Sequence, residues 1–194
     1  MLRSAAKRSK ERSMAGHYQT GVNSIQRGDL LVATPKLNKM PWRRSVVLLT
    51  EVSPRSVMGT ILNRPTMMTT DDVTDLAIPR TQVYMGGPIS NGAMFMLHTP
   101  EFQSSNTLDI TSTWSVSSDD LMFEKLSMGQ TPTWYRFYMG AAGWHPQQLD
   151  MEINMHDAWM IINNPSFELV TADPTDQWSR CVDSISSSMF SNYF

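Results

Sequence analysis

A single cysteine, Cys181, stands in 194 residues, so no disulfide can form within the chain and a reducing compartment is expected. No apolar run approaches ~20 residues, which excludes a membrane-spanning helix. The first residues lack an apolar signal core, so secretion is not expected. Charged residues make up only 18% of the chain. Several chemical signatures are missing as well. There is no Gly-x-Ser-x-Gly elbow, so a nucleophilic serine is not indicated at Ser45. There is no His-Glu-x-x-His and no paired cysteine, so no metal is called for. Gly86-Gly87 is not followed by Gly-Lys-Ser/Thr, so it is not a phosphate loop. No catalytic residue and no cofactor is expected, nor any helix-turn-helix or other sequence-specific DNA motif.

What is present is unevenly charged. Residues 1–13 carry five basic residues and one acid, a balance of +4. Residues 14–100 balance to +3 and residues 101–194 to −9. The first 24 residues are Ser-, Arg- and Lys-rich and poor in apolar side chains, and read as a flexible arm or a targeting segment. Arg3, Lys7, Arg8, Lys10 and Arg12 are its candidate RNA contacts. A solvated tail on an acidic domain is the bland alternative. Sixteen methionines offer an adaptable contact surface, or reflect compositional bias.

Residues 25–194 read as one α+β domain on a mixed sheet. Strands are predicted at Leu30–Ala33, Ser45–Thr50, Val57–Leu62, Val83–Met85, Ala93–Leu97, Trp134–Met139, Ala158–Ile162 and Phe167–Ala172. Helices are predicted at Thr70–Leu76, Ser118–Leu126, Gln147–Asn154 and from Thr175 onward. In the last helix Trp178, Cys181, Val182, Ile185 and Met189 share one face, and a buried Cys181 there is inert.

Five segments in order carry a resemblance: Trp42-Arg-Arg-Ser-Val-Val, Gly59 with Asn63-Arg-Pro65, Gly86-Gly87-Pro88, Leu97-His98, and Gly140-Ala-Ala-Gly-Trp144 with Gln148, Glu152 and Trp159. Together they resemble the YqgE/AlgH family of small, mostly bacterial α+β proteins, from about Gly28 to about Trp178. The resemblance implies a mixed sheet with packed helices and no established reaction. Family members are often labelled transcriptional regulators. Ala141 stands where the family usually has tyrosine, and Ser56-Val57 where it has Gly-Ala.

The candidate binding residues are Arg43, Arg44, Asn63, Arg64, Gly86, Gly87, Pro88, His98, Gly143 and Trp144. The arginines suit an anion, because their forks match phosphate or carboxylate. Salt bridges to Glu51 or to the acidic C-terminal half are the alternative. A hairpin is expected to carry Arg43-Arg44 and Arg64 to opposite ends. Asn63 before a proline reads as a turn-former, the Gly pair as a turn or a close backbone approach, and His98 as a structural histidine. Three functions remain open: an interaction or scaffold module, for example a subunit or assembly factor of a ribonucleoprotein such as a mitochondrial ribosome; a transcriptional regulator; and a small-ligand binder or enzyme using Gly86-Gly87-Pro88, His98 and Trp144. Protein partners are expected, RNA through residues 1–24, and a bacterial-type cytoplasm or mitochondrial matrix as location.

Overall fold

A computed structural model describes residues 25–191, so the arm contacts at Arg3, Lys7, Arg8, Lys10 and Arg12 lie outside the described residues. The described residues form ten strands and four helices. The strands are β1 (Leu30–Ala33), β2 (Val46–Val52), β3 (Val57–Ile61), β4 (Pro65–Thr69), β5 (Gln82–Met85), β6 (Ile89–His98), β7 (Leu108–Asp109), β8 (Ser115–Ser117), β9 (Tyr135–Trp144) and β10 (Trp159–Ile162). The helices are α1 (Asp120–Ser127), α2 (Pro146–Asn154), α3 (Phe167–Thr171) and α4 (Gln177–Ser191). The strand order is β10-β1-β2-β3-β9-β6-β8-β7. All pairings are antiparallel except β5 with β9, which makes the sheet mixed.

β1 and β2 are apolar without alternation because both of their faces are covered. Leu30, Val32, Val46 and Leu48 point into one core, beneath Cys181 and Trp178 of α4. Leu31, Ala33, Val47 and Leu49 point into another, against Leu149 and Ile153 of α2. A third core joins Met122 and Leu126 of α1 to Phe137, Met96 and Val83.

β9 is the strand on which the sheet turns. Its Val57-, Val83- and Met94-side neighbours are three different strands. Tyr138 faces the α4 core, yet Ala142 and Trp144, also at even positions, face the α2 core. The inversion falls at Gly140, whose φ of 74° lies in the left-handed region. The Gly pair meets β9 at this same point. Gly86 donates its N–H to Met139 O at 2.7 Å, and its own carbonyl accepts from Ile61 N at 2.7 Å. A Cβ on Gly86 would lie 2.2 Å from Gly140 O, and one on Gly87 2.2 Å from the Ala141 carbonyl. The glycines therefore permit backbone to lie on backbone, and the exposed Pro88 follows them at the edge.

The structure adds three strands that the sequence does not indicate, β4, β7 and β8, begins β6 at Ile89 rather than Ala93, and changes three further elements. Phe167–Thr171 is helix, not strand. Asn164-Pro165-Ser166 ends the preceding segment, and Ser166 O accepts from Leu169 and Val170 N–H, so a local start signal prevails over β-branched composition. Thr70–Leu76 shortens to a 3-10 turn at Thr70–Asp72, closed by the Asp72 carboxylate on Thr69 N at 2.7 Å. β9 runs through the glycines to Trp144, because three partner strands supply its hydrogen bonds.

Gly86→Ala is expected to destabilise the fold by about 2–3 kcal/mol or more, since the new methyl meets rigid backbone. Gly129→Ala, in open space after α1 with φ 79°, is expected to cost only the left-handed strain of about 1–2 kcal/mol. Urea unfolding of the two variants measures the difference.

Candidate functional site

Asn63 and Arg64 lie in the turn between β3 and β4, Arg43 and Arg44 in the connection that leads into β2, and the antiparallel β2–β3 hairpin brings them together. Arg43-Arg44 and Arg64 sit at one end of that hairpin, not at opposite ends, because the start of β2 lies beside the end of β3. Asn63 is the brace between them. Its Nδ2 donates to Arg44 O at 2.9 Å and its Oδ1 accepts from Val46 N at 3.1 Å. This buried amide continues the β2–β3 ladder where backbone pairing ends. It also holds the carbonyl of Arg44, whose φ is 54°.

Arg64 is half-buried, and its guanidinium is anchored by carbonyl dipoles. Nε donates to Pro41 O at 3.2 Å, Nη1 to Asn63 O at 3.0 Å, and Nη2 to Arg43 O. Three of its five N–H donors are so engaged. Burial draws its pKa below the ordinary arginine value, and an arginine remains charged regardless. Arg44 lies over the Trp178 ring, 5.2 Å from its centroid. The ring itself is pinned by Nε1 donating to Ala33 O at 2.8 Å.

These side chains line a cleft of about 580 Å³, open to solvent, with Met40 and Pro65 on one side and Pro174, Thr175 and Ser179 on the other. A smaller cleft of about 210 Å³ shares Arg43, Arg44 and Trp178. The ion pairs among the described residues are Lys36–Asp157, Arg80–Asp71 and Arg180–Asp176, and none engages these arginines. Glu51 instead accepts from the hydroxyls of Ser53 and Ser56.

The remaining predicted residues go elsewhere. Gly86 and Gly87 are occupied by the β9 crossing, and Gly143 and Trp144 line a separate cleft near α2. His98 pairs with Tyr135, so it sits at the far end of β9 from Trp144, roughly 30 Å of strand away at about 3.3 Å per residue. The two do not converge. His98 is fully buried. Nδ1 lies 2.9 Å from Thr99 O and Nε2 2.9 Å from Ser117 Oγ, which in turn meets Thr107 Oγ1 at 2.7 Å. That pattern assigns the Nδ1–H tautomer and a structural role. Ser45 is buried and Cys181 is buried, its thiol pushed up to about 12 by desolvation. Among the described residues no group of three His, Cys, Asp or Glu side chains could hold a metal.

Trp178, Thr175 and Ser179 also line the arginine cleft and are not among the binding residues that the sequence indicates. Trp178 follows the apolar stripe of α4, which marks it as core; nothing local signals that its ring edge meets a loop more than 130 residues earlier. Arg136 was also missed. It lies between the rings of Tyr84 and Trp134, at 4.6 and 5.2 Å, and donates to Leu62 O at 3.3 Å beside the same turn.

Burial lowers the pKa of His98, so the unfolded chain binds its proton first as pH falls. Its contribution is therefore complete above about pH 6.5 and is lost as pH drops toward the lower folded value. A thermal midpoint that declines below that pH, with His98 ring resonances still neutral, is the expected result; His98→Gln should flatten that part of the profile.

The AlgH-like family model matches residues 30–189. A UPF0301 protein of Cereibacter sphaeroides is 30% identical over 161 residues, covering 78% of this chain and 87% of the relative. One from Marinomonas sp. is 33% identical over 142 residues, covering 68% and 73%. The solution structure of the AlgH protein from Pseudomonas aeruginosa superposes with a TM-score of 0.67 at 22% identity, over 88% of this chain and 92% of that one. A crystal structure of a Corynebacterium diphtheriae protein gives 0.65 at 22% identity, over 84% and 93%. Sequence and architecture agree, and the chain belongs to the AlgH-like family.

Proposed function

We propose that this chain is a non-catalytic interaction module that receives a phosphate group of an RNA partner in the Arg43/Arg44/Arg64 cleft. One observation carries the reading: a half-buried arginine, Arg64, has carbonyl partners but no carboxylate, in an open cleft shared with two more arginines. A partly desolvated cation is stabilised by an anion more than an exposed one is. Trp178 lines the same cleft and holds the Arg44 guanidinium against its ring. The basic arm, residues 1–24, carries charge of the same sign and supports the ribonucleoprotein form of the reading. The domain's overall acidity restricts such contacts to this segregated patch.

The test is binding of a fluorescent single-stranded RNA to the full chain across a salt series. Each single-strand phosphate contact contributes about 0.7 to the slope of log K against log salt. Arg43→Ala with Arg44→Ala is expected to lower that slope by roughly 1.4 for two contacts. Deleting residues 1–24 should lower it separately. An arginine pair whose removal leaves both affinity and slope unchanged defeats the cleft reading, whatever the arm does.

A further inference from the structure

The second cleft has the opposite polarity. It measures about 300 Å³ and is lined by Trp42, Trp144, Trp159, Gln148, Glu152 and His156 among others. Trp42 is half-buried and packs on Trp144 and Trp159, with ring centroids 5.6 and 5.7 Å away; Trp144 and Trp159 are 5.9 Å apart. None of the three pairs is a parallel stack, so ring surface remains to wall the cleft.

Glu152 is the charged group in this wall. Its Oε2 accepts from Trp144 Nε1 at 3.1 Å and from Trp159 Nε1 at 2.8 Å. Its Oε1 accepts from Gln148 Nε2 at 2.8 Å. All three donors are neutral. Among the described residues no ion pair engages Glu152, and His156 is the other titratable side chain lining the cleft. A carboxylate held rigidly by neutral donors among indoles is an environment for an organic cation, attracted both by the charge and by the ring quadrupoles.

The acceptor count narrows the choice. A carboxylate offers about four acceptor sites, two per oxygen. The two indoles fill Oε2, and Gln148 takes one site on Oε1, so one site remains. A guanidinium fork needs an acceptor on each oxygen and cannot be met here. A single ammonium on an aliphatic stem can. The cleft volume is at the small end for a ligand site and suits one side chain. We infer that this cleft accepts the ammonium group of a lysine side chain presented by a partner protein, with Glu152 as its counter-ion and the tryptophans around its stem.

The experiment follows the indole N–H resonances of Trp144 and Trp159 in the 15N-labelled full chain, in mildly alkaline buffer where an imidazole is uncharged. The probes are Nα-acetyl-lysine methylamide and its arginine and norleucine counterparts. Saturable shifts with lysine at a Kd on the order of millimolar are expected, with norleucine about tenfold weaker and arginine no tighter than lysine. Glu152→Gln should abolish the tenfold preference. Equal binding of norleucine, tighter binding of arginine, or absence of shifts each overturns the assignment. Tetramethylammonium binding more tightly than the lysine amide would mark a site for a quaternary ammonium, which donates no hydrogen bond to Glu152, and would overturn the assignment. The ligand series on the unaltered chain decides the matter should Glu152→Gln unfold. None of these outcomes depends on RNA binding at the arginine cleft.

Discussion

The contact of backbone on backbone at Gly86 and Gly140 is the constraint on which the remaining structure depends. β9 exchanges hydrogen bonds with β3, β5 and β6, and it can do so only by changing partner and face within its length. Gly140 inverts the alternation, while Gly86 and Gly87 let the chain leaving β5 press against it without a side chain between. The inversion puts Tyr138 into the α4 core and Trp144 into the α2 core. The aromatic cleft takes Gly143 and Trp144 from the part of β9 beyond the inversion.

The connection between β1 and β2 is the second organising element. Residues of this single loop reach both clefts: Met40, Arg43 and Arg44 on the basic side, Leu37 and Trp42 on the aromatic side. The loop contains no regular secondary structure and is held by side chains from elsewhere. Asn63 and Arg64 take its carbonyls, and Trp42 sits against Trp144 and Trp159. Loops positioned by a rigid scaffold are where binding residues concentrate. Here the scaffold supplies different electrostatic surroundings to interleaved residues of one loop.

Charge pairing shows why the arginines stand apart. Most other notable charges are settled locally. Asp119 caps α1 and is held near 2 by hydroxyls of Ser104 and Ser105 together with the N–H groups of Met122 and Asn106, against the opposing effect of desolvation. Glu101 is drawn down to about 2 by the Thr99 hydroxyl and by Thr133. Arg180 pairs with Asp176 one turn away. Arg64 instead spends its donors on carbonyls, and Arg44 spends its guanidinium on an indole face. Both arrangements orient a cation without neutralising it.

Much of the frame was legible from local pattern. Unbroken apolar runs marked β1 and β2, the stripe from Trp178 to Ile185 marked α4, and the ordered motifs from Trp42 to Trp159 pointed to the family. These signals are readable because alternation, capping and turn chemistry act between residues a few positions apart. The glycine pair was legible as a close approach, but not the strand it approaches. Phe167–Thr171 was misread, since five residues carry too little periodicity to separate strand from helix. The clefts were least legible. Arg43, Arg44, Arg64 and Trp144 were identified, yet their grouping was not, and Trp178 and Glu152 entered only as core and motif residues. The sequence by itself determined most of the element types, the buried faces of the principal strands and the family. Tertiary structure alone decided that Arg44 meets Trp178 and that Glu152 meets two indoles, because such meetings depend on how strands register around β9 and no local rule carries that information.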